Sequence, residues 1–118
     1  MMHLALDYDH TYTAAPSVWD AIIVFLKAQG HRVSVVTFRD EAHDWTDDLT
    51  HLHDVVQVPV YCTRGCAKKP WCEARGIDIT IWVDDRPAGI LADSTLSPSQ
   101  LEEWRAADQA SRGERPAA

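Results

Sequence analysis

The sequence predicts a single α/β domain built on a doubly wound parallel sheet, Rossmann-like in plan. Three observations lead there. Short apolar runs rich in Val and Ile alternate with stretches of helical periodicity, Gly or Pro marks several of the changeovers, and 118 residues is the length of one domain. Strand, helix, strand, helix, strand, helix, strand implies right-handed crossovers and helices on both faces of the sheet.

The elements follow in order. "HLALDY" (3–8) is a short strand ending at Asp7. "SVWDAIIVFLKAQG" (17–30) sets Val18, Trp19, Ile22, Ile23, Phe25 and Leu26 at helical spacing, after Pro16 and before Gly30. "HRVSVVTF" (31–38) is apolar on both faces, as buried parallel strands are. "DEAHDWTDDLTHL" (40–52) predicts a second helix, with Ala42, Trp45, Leu49 and Leu52 on one face. "VVQVPVYCT" (55–63) is a third strand, at an edge because Pro59 has no donor for the ladder. "KKPWCEARG" (68–76) is a short helix with Pro70 in its first turn and Gly76 as its stop. "IDITIWVDD" (77–85) is the fourth strand, and 86–96 reads as a loop with room for a short fifth strand at 89–92. "SPSQLEEWRAADQAS" (97–111) opens on a capping pattern, Ser97 to Gln100, and continues with Leu101, Trp104 and Ala107 at helical spacing. The domain is expected over 1–112, with 113–118 a disordered tail.

Ligands of such sheets bind at the carboxyl ends of the strands. There the first strand delivers Asp7 and Asp9, the second Thr37 and the fourth Asp84 and Asp85, while Lys68 and Lys69 open the helix before the fourth. Acids gathered without a cation repel one another and hold on to protons, so a divalent metal is expected among them. Oxygen-only ligation suits Mg²⁺, which shares its shell with phosphate. A hydroxyl and an ammonium opposite the metal suit the other phosphoryl oxygens. Singly, each feature has an ordinary reading: a solvated turn, a helix cap, a strand-closing Thr, a surface Lys. Their convergence on one sheet edge points to a phosphate–metal pocket.

That ordered set resembles the haloacid dehalogenase superfamily of phosphatases and phosphotransferases. Its four motifs are matched by "LALDYDHT" (4–11), by "VVTF" with Thr37, by "AKKPW" with its lysines, and by "IWVDD", so that the resemblance covers 3 to about 87. His10 stands where many members carry Gly, a departure that bears on substrate preference more than on chemistry. The resemblance implies a Mg²⁺-dependent phosphomonoester hydrolase of HAD type. Asp7 would be the nucleophile that forms an aspartyl-phosphate, and Asp9 the general acid and then base. The metal would be held by Asp7, by the backbone carbonyl of Asp9, and by Asp84 with Asp85. Thr37 would bind the phosphoryl oxygens, and Lys68 or Lys69 would neutralise them. Lys68 is preferred because Trp71 and Cys72 follow it at the interval of a helix packing on the sheet. Thr11 is grouped with the phosphate-binding residues and would help fix the loop after the nucleophile.

Members usually insert a cap domain after the first or second motif. From Thr11 to Thr37 the chain advances 26 positions and from Thr37 to Lys68 it advances 31, lengths already used by one helix and one strand each. No cap fits, and the site is expected to be open to a small phosphate ester or a phosphorylated macromolecular end. A net charge of -7 disfavours nucleic acid, although Arg39, Arg64, Lys68, Lys69 and Arg86 would form a basic patch near the pocket. The N-terminus lacks a basic region and no apolar run approaches the roughly 20 residues of a membrane span, so the expected compartment is the cytoplasm. Cys62, Cys66 and Cys72 are odd in number and lack zinc spacing, which leaves reduced thiols, with His43, His51 and His53 as polar surface residues. Trp19, Trp45, Trp71, Trp82 and Trp104 fall within apolar periodicities and are assigned to the core.

Two rival readings differ in class. A receiver domain also sets acids, a Thr and a Lys around Mg²⁺, but carries its acidic pair after the first strand and a lone Asp after the third; this order of motifs would require a permutation. A catalytically silent binding or regulatory module of the same fold fits the small, capless chain. The sequence leaves substrate, oligomeric state and pathway open.

Overall fold

The computed structural model describes residues 1–94, and the expected helix at 97–111 and tail at 113–118 lie outside the described residues. Four parallel strands, β1 (His3–Leu6), β2 (Arg32–Thr37), β3 (Val60–Cys62) and β4 (Ile81–Val83), stand in the order β3-β2-β1-β4. The chain therefore steps outward from β1 to β3, then returns to the other side of β1, and this reversal makes a crevice at the carboxyl ends of β1 and β4. Leu6 is in register with both Val35 and Val83.

Alternation along the strands sends side chains into two cores. Leu6, Val33 and Val35 pack with Ile23 of α1 (Pro16–Ala28) and Leu49 of α2 (Asp47–His51), while Ala5 and Val36 pack with Cys72 of α3 (Lys68–Ala74). Helices thus cover both faces, as expected of a doubly wound α/β domain. Trp19, Trp45, Trp71 and Trp82 pack partly buried against these cores.

Several elements differ from the sequence expectation, each for a local reason. The helix expected over 40–52 is confined to α2. Asp40 accepts from the Ala42 N–H at 2.9 Å and Thr46 caps α2 at Leu49, so short polar side chains take the backbone groups that a longer helix needs. Ala42 is consequently exposed. Val55 and Val56 belong to a π-helical turn (Leu52–Val56), and Gln57 reverses the chain at φ 62°, which shortens β3. Pro59 precedes β3, which is an edge strand as the proline implies. β4 is short because its partner begins at His3, whose carbonyl already takes the Thr80 N–H at 2.9 Å. Where a fifth strand was expected, Pro87 caps a one-turn helix, α4 (Ala88–Leu91). None of the described helices is long and apolar enough to cross a membrane.

Candidate functional site

β1 and β4 lie side by side, and the Asp7 N–H bonds the Val83 carbonyl at 2.9 Å, so Asp7 and Asp84 leave their strands at one level. Lys68, first residue of α3, reaches between them. Its Nζ lies 2.8 Å from Asp7 Oδ1 and 2.5 Å from Asp84 Oδ2. Thr11 Oγ1 lies 3.2 Å from both Asp7 Oδ2 and Asp85 Oδ1, and it accepts the Asp85 N–H at 3.3 Å. The hydroxyl faces the acids and ties the first motif to the fourth.

Burial pushes the Asp7 carboxyl up to about 8 against the pull of Lys68, and Asp85 and Asp84 add to the rise. Burial works to lower the Lys68 ammonium, but Asp7 and Asp84 overcome it and hold it above its ordinary value. The cluster carries more acid than it neutralises. Asp7, Asp84 and Asp85 can each offer an oxygen within 4.8 Å of the others, a donor set that a divalent ion fits. Among the described residues, this is the group with metal-ligating geometry. The cysteines are free thiols outside it, and His51 and His53 pair with Asp20 and Asp54.

Asp9 is placed differently from its neighbours. Arg39 Nε lies 2.9 and 3.1 Å from the two Asp9 oxygens and Nη2 lies 2.5 Å from Oδ1. Arg39 also donates to the Asp44 carbonyl at 3.1 Å and stands over the Tyr8 ring at 5.0 Å. The arginine side chain is 1% exposed, so it is a buried counter-ion and not part of a surface patch. Nor do the other cations form one with it: Arg64 is salt-bridged to Asp40 and Lys69 to Glu73. The structure brings Lys68, not Lys69, to the acids.

Thr37 is fully buried at the end of β2, where its Oγ1 accepts the Arg39 N–H at 3.3 Å. His10 is exposed and adopts a left-handed φ of 64°, the backbone conformation that glycine adopts without strain. Among the described residues no cap domain covers the site; the side chains of Asp7, Asp84 and Lys68 are 9%, 3% and 4% exposed, whereas Asp85 is exposed. Two residues that complete it carry no local sequence sign. Arg39 meets an acid 30 positions away, and Phe38 lays its ring 5.2 Å from Lys68 Nζ. A cavity of about 330 Å³ lined by Lys27, His31, Arg32 and Gln57 lies at the opposite, amino edge of β2 and has no part in this chemistry. The chain matches no protein-family model, and no curated protein or solved structure is significantly similar to it.

Proposed function

We propose that the chain is a Mg²⁺-dependent phosphomonoester hydrolase of haloacid dehalogenase type. The observation that carries this reading is the Lys68 ammonium shared by Asp7 and Asp84 at the ends of adjacent strands, with Asp85 beside them. With Asp7 ionised, the form a bound cation favours, three carboxylates against one ammonium leave two negative charges, the deficit that one divalent ion neutralises. Asp7, Asp84 and Asp85 would hold that ion, which would supply charge neutralisation for an incoming phosphoryl group.

The chain's own residues supply the rest. Asp7 attacks phosphorus in line, and the leaving oxygen departs with a proton given by Asp9 as the aspartyl-phosphate forms. Lys68 steadies the equatorial oxygens, and the Thr37 hydroxyl donates a hydrogen bond to them. Asp9 then draws a proton from the water that cleaves the aspartyl-phosphate.

A second reading keeps the fold and removes the catalysis. Arg39 occupies both oxygens of Asp9, so the residue assigned to proton transfer is held in an ion pair. That favours a silent module that binds phosphate or metal without turnover. Hydrolysis of p-nitrophenyl phosphate separates the two. Metal-dependent turnover lost in Asp7→Asn supports the enzyme, and no turnover of any phosphate ester, with Mg²⁺ binding intact, supports the module.

A further inference from the structure

No cap among the described residues accounts for the burial of Asp7, Asp84 and Lys68. The path of residues 86–94 supplies the reason. The strap begins beside β4, where the Arg86 N–H bonds Asp84 Oδ1 at 2.9 Å. It ends beside the loop after β3, where the Ser94 N–H bonds the Gly65 carbonyl and Asp93 Oδ1 accepts the Ala67 N–H, both at 2.7 Å. β4 and β3 are the two outer strands of the described sheet. The strap therefore traverses its whole width at the carboxyl edge, about 14 Å at the usual strand spacing.

Midway it rests on Phe38. A Cβ on Gly89 would lie 2.7 Å from Phe38 Cζ, so the ring and α4 approach closely only because residue 89 is glycine. The same ring lies over Lys68, whose ammonium a phosphoryl group must reach together with Asp7. Asp85 is exposed, but Asp7, Asp84 and Lys68 are nearly inaccessible, so a group that meets Asp85 reaches Asp7 and Lys68 together only if the ring or the strap moves.

The strap is built to yield. It places no buried residue in either core, and Leu91 is 72% exposed. A segment with few buried apolar contacts opens at low free energy while the sheet stays intact. Resting on the phosphatase reading, we propose that residues 86–94 and Phe38 act as a built-in gate in place of a cap, and that Phe38 selects substrates by the bulk of their leaving group. A flat apolar leaving group would pack on the displaced ring, whereas a bulky branched one would be refused.

The geometry offers a lock. A Cβ on Gly65 would lie 3.6 Å from Ser94 Cβ, inside the about 3.5–4.5 Å span of a disulfide, although the φ of 85° at residue 65 strains any side chain placed there. In the full chain, Gly65→Cys with Ser94→Cys, in a Cys66→Ser background, should close the strap when oxidised and release it when reduced. Oxidation is expected to lower Mg²⁺-dependent p-nitrophenyl phosphate turnover at least about tenfold, and dithiothreitol to restore it. Equal turnover in both forms would overturn the gate. Phe38→Ala and Gly89→Ala open it instead and decide the matter if the disulfide does not close. Both should raise kcat/KM for a bulky branched phosphate ester relative to p-nitrophenyl phosphate, and an unchanged ratio would overturn the selective role. If no form hydrolyses any ester, the phosphatase reading fails separately and amide hydrogen exchange at 7–11 decides the gate. Faster exchange in Gly89→Ala than in the parent chain supports it, and equal rates overturn it.

Discussion

Asp7 and Asp84, each one residue beyond the registered pair Leu6 and Val83, share a single Lys68 ammonium at 2.8 and 2.5 Å. Neither acid could be brought to that level by its own strand alone. The parallel register of β1 and β4 sets their height, and α3, arriving from the far side of the sheet, sets the lysine between them.

Lys68→Met should therefore reveal how much the acids depend on that cation. Removing one partner of a buried ion pair costs roughly 3–5 kcal/mol because the other charge is left uncompensated. Urea melts near neutral pH are expected to show a loss of that order without metal, and partial recovery in millimolar Mg²⁺. A loss no larger than a surface substitution gives, or one indifferent to Mg²⁺, would count against the site.

The pH dependence of stability carries a definite sign. Asp7 rises from 3.8 to about 8 on folding, so between those values the folded chain holds a proton that the unfolded chain releases. Its contribution to stability is full below the ordinary carboxylate value and is lost as pH climbs through the folded one. Lys68, also raised, acts with the same sign but only in the alkaline range above its ordinary 10.5. Melting temperature without metal is expected to fall from about pH 5 to about pH 8. Mg²⁺, which binds the carboxylate form, should flatten that fall and bind more tightly as pH rises. A flat metal-free profile would remove Asp7 from the account.

How much of this was legible in the sequence depends on the range over which each signal acts. Apolar strands ending in acids, and the Gly76 stop after a helix opened by lysines, are local patterns, and the structure places Asp7, Thr37, Lys68, Asp84 and Asp85 at one sheet edge. The helix expected from 40 onward was not legible, because its apolar spacing is sound but Asp40, Asp44 and Thr46 take the backbone hydrogen bonds. The strand expected near 89 failed because Pro87 sets a helical φ of -61° and starts a turn. Arg39 was visible only as a basic residue near the pocket. That it belongs to Asp9 is a fact of tertiary structure.

The Arg39–Asp9 pair lends itself to a double-mutant cycle. Arg39→Ala and Asp9→Ala each break a buried, two-pronged pair and should each cost roughly 3–5 kcal/mol, while the double variant should cost less than their sum by a few kcal/mol. Arg39→Lys cannot present the planar fork that spans both oxygens and should recover little. Additive losses in urea melts would mean that the two residues are stabilised by other neighbours.

His10 gives the opposite expectation, a substitution beside the nucleophile that stabilises. Its φ of 64° lies in the left-handed region, which costs roughly 1–2 kcal/mol for a residue with a Cβ. Glycine relieves that strain but returns about 0.5–1 kcal/mol through the freedom it gives the unfolded chain. The turn itself should persist, since the bond from the residue-10 N–H to Thr13 Oγ1 at 2.9 Å needs no side chain. His10→Gly is thus expected to raise stability by up to about 1 kcal/mol, and His10→Val, β-branched and least tolerant of positive φ, to lower it. The order Gly above His above Val in thermal melts is the outcome that fits a strained loop. If His10→Gly proved the least stable of the three, the imidazole's own contacts would outweigh the backbone, and the residue would have been kept for what its ring touches.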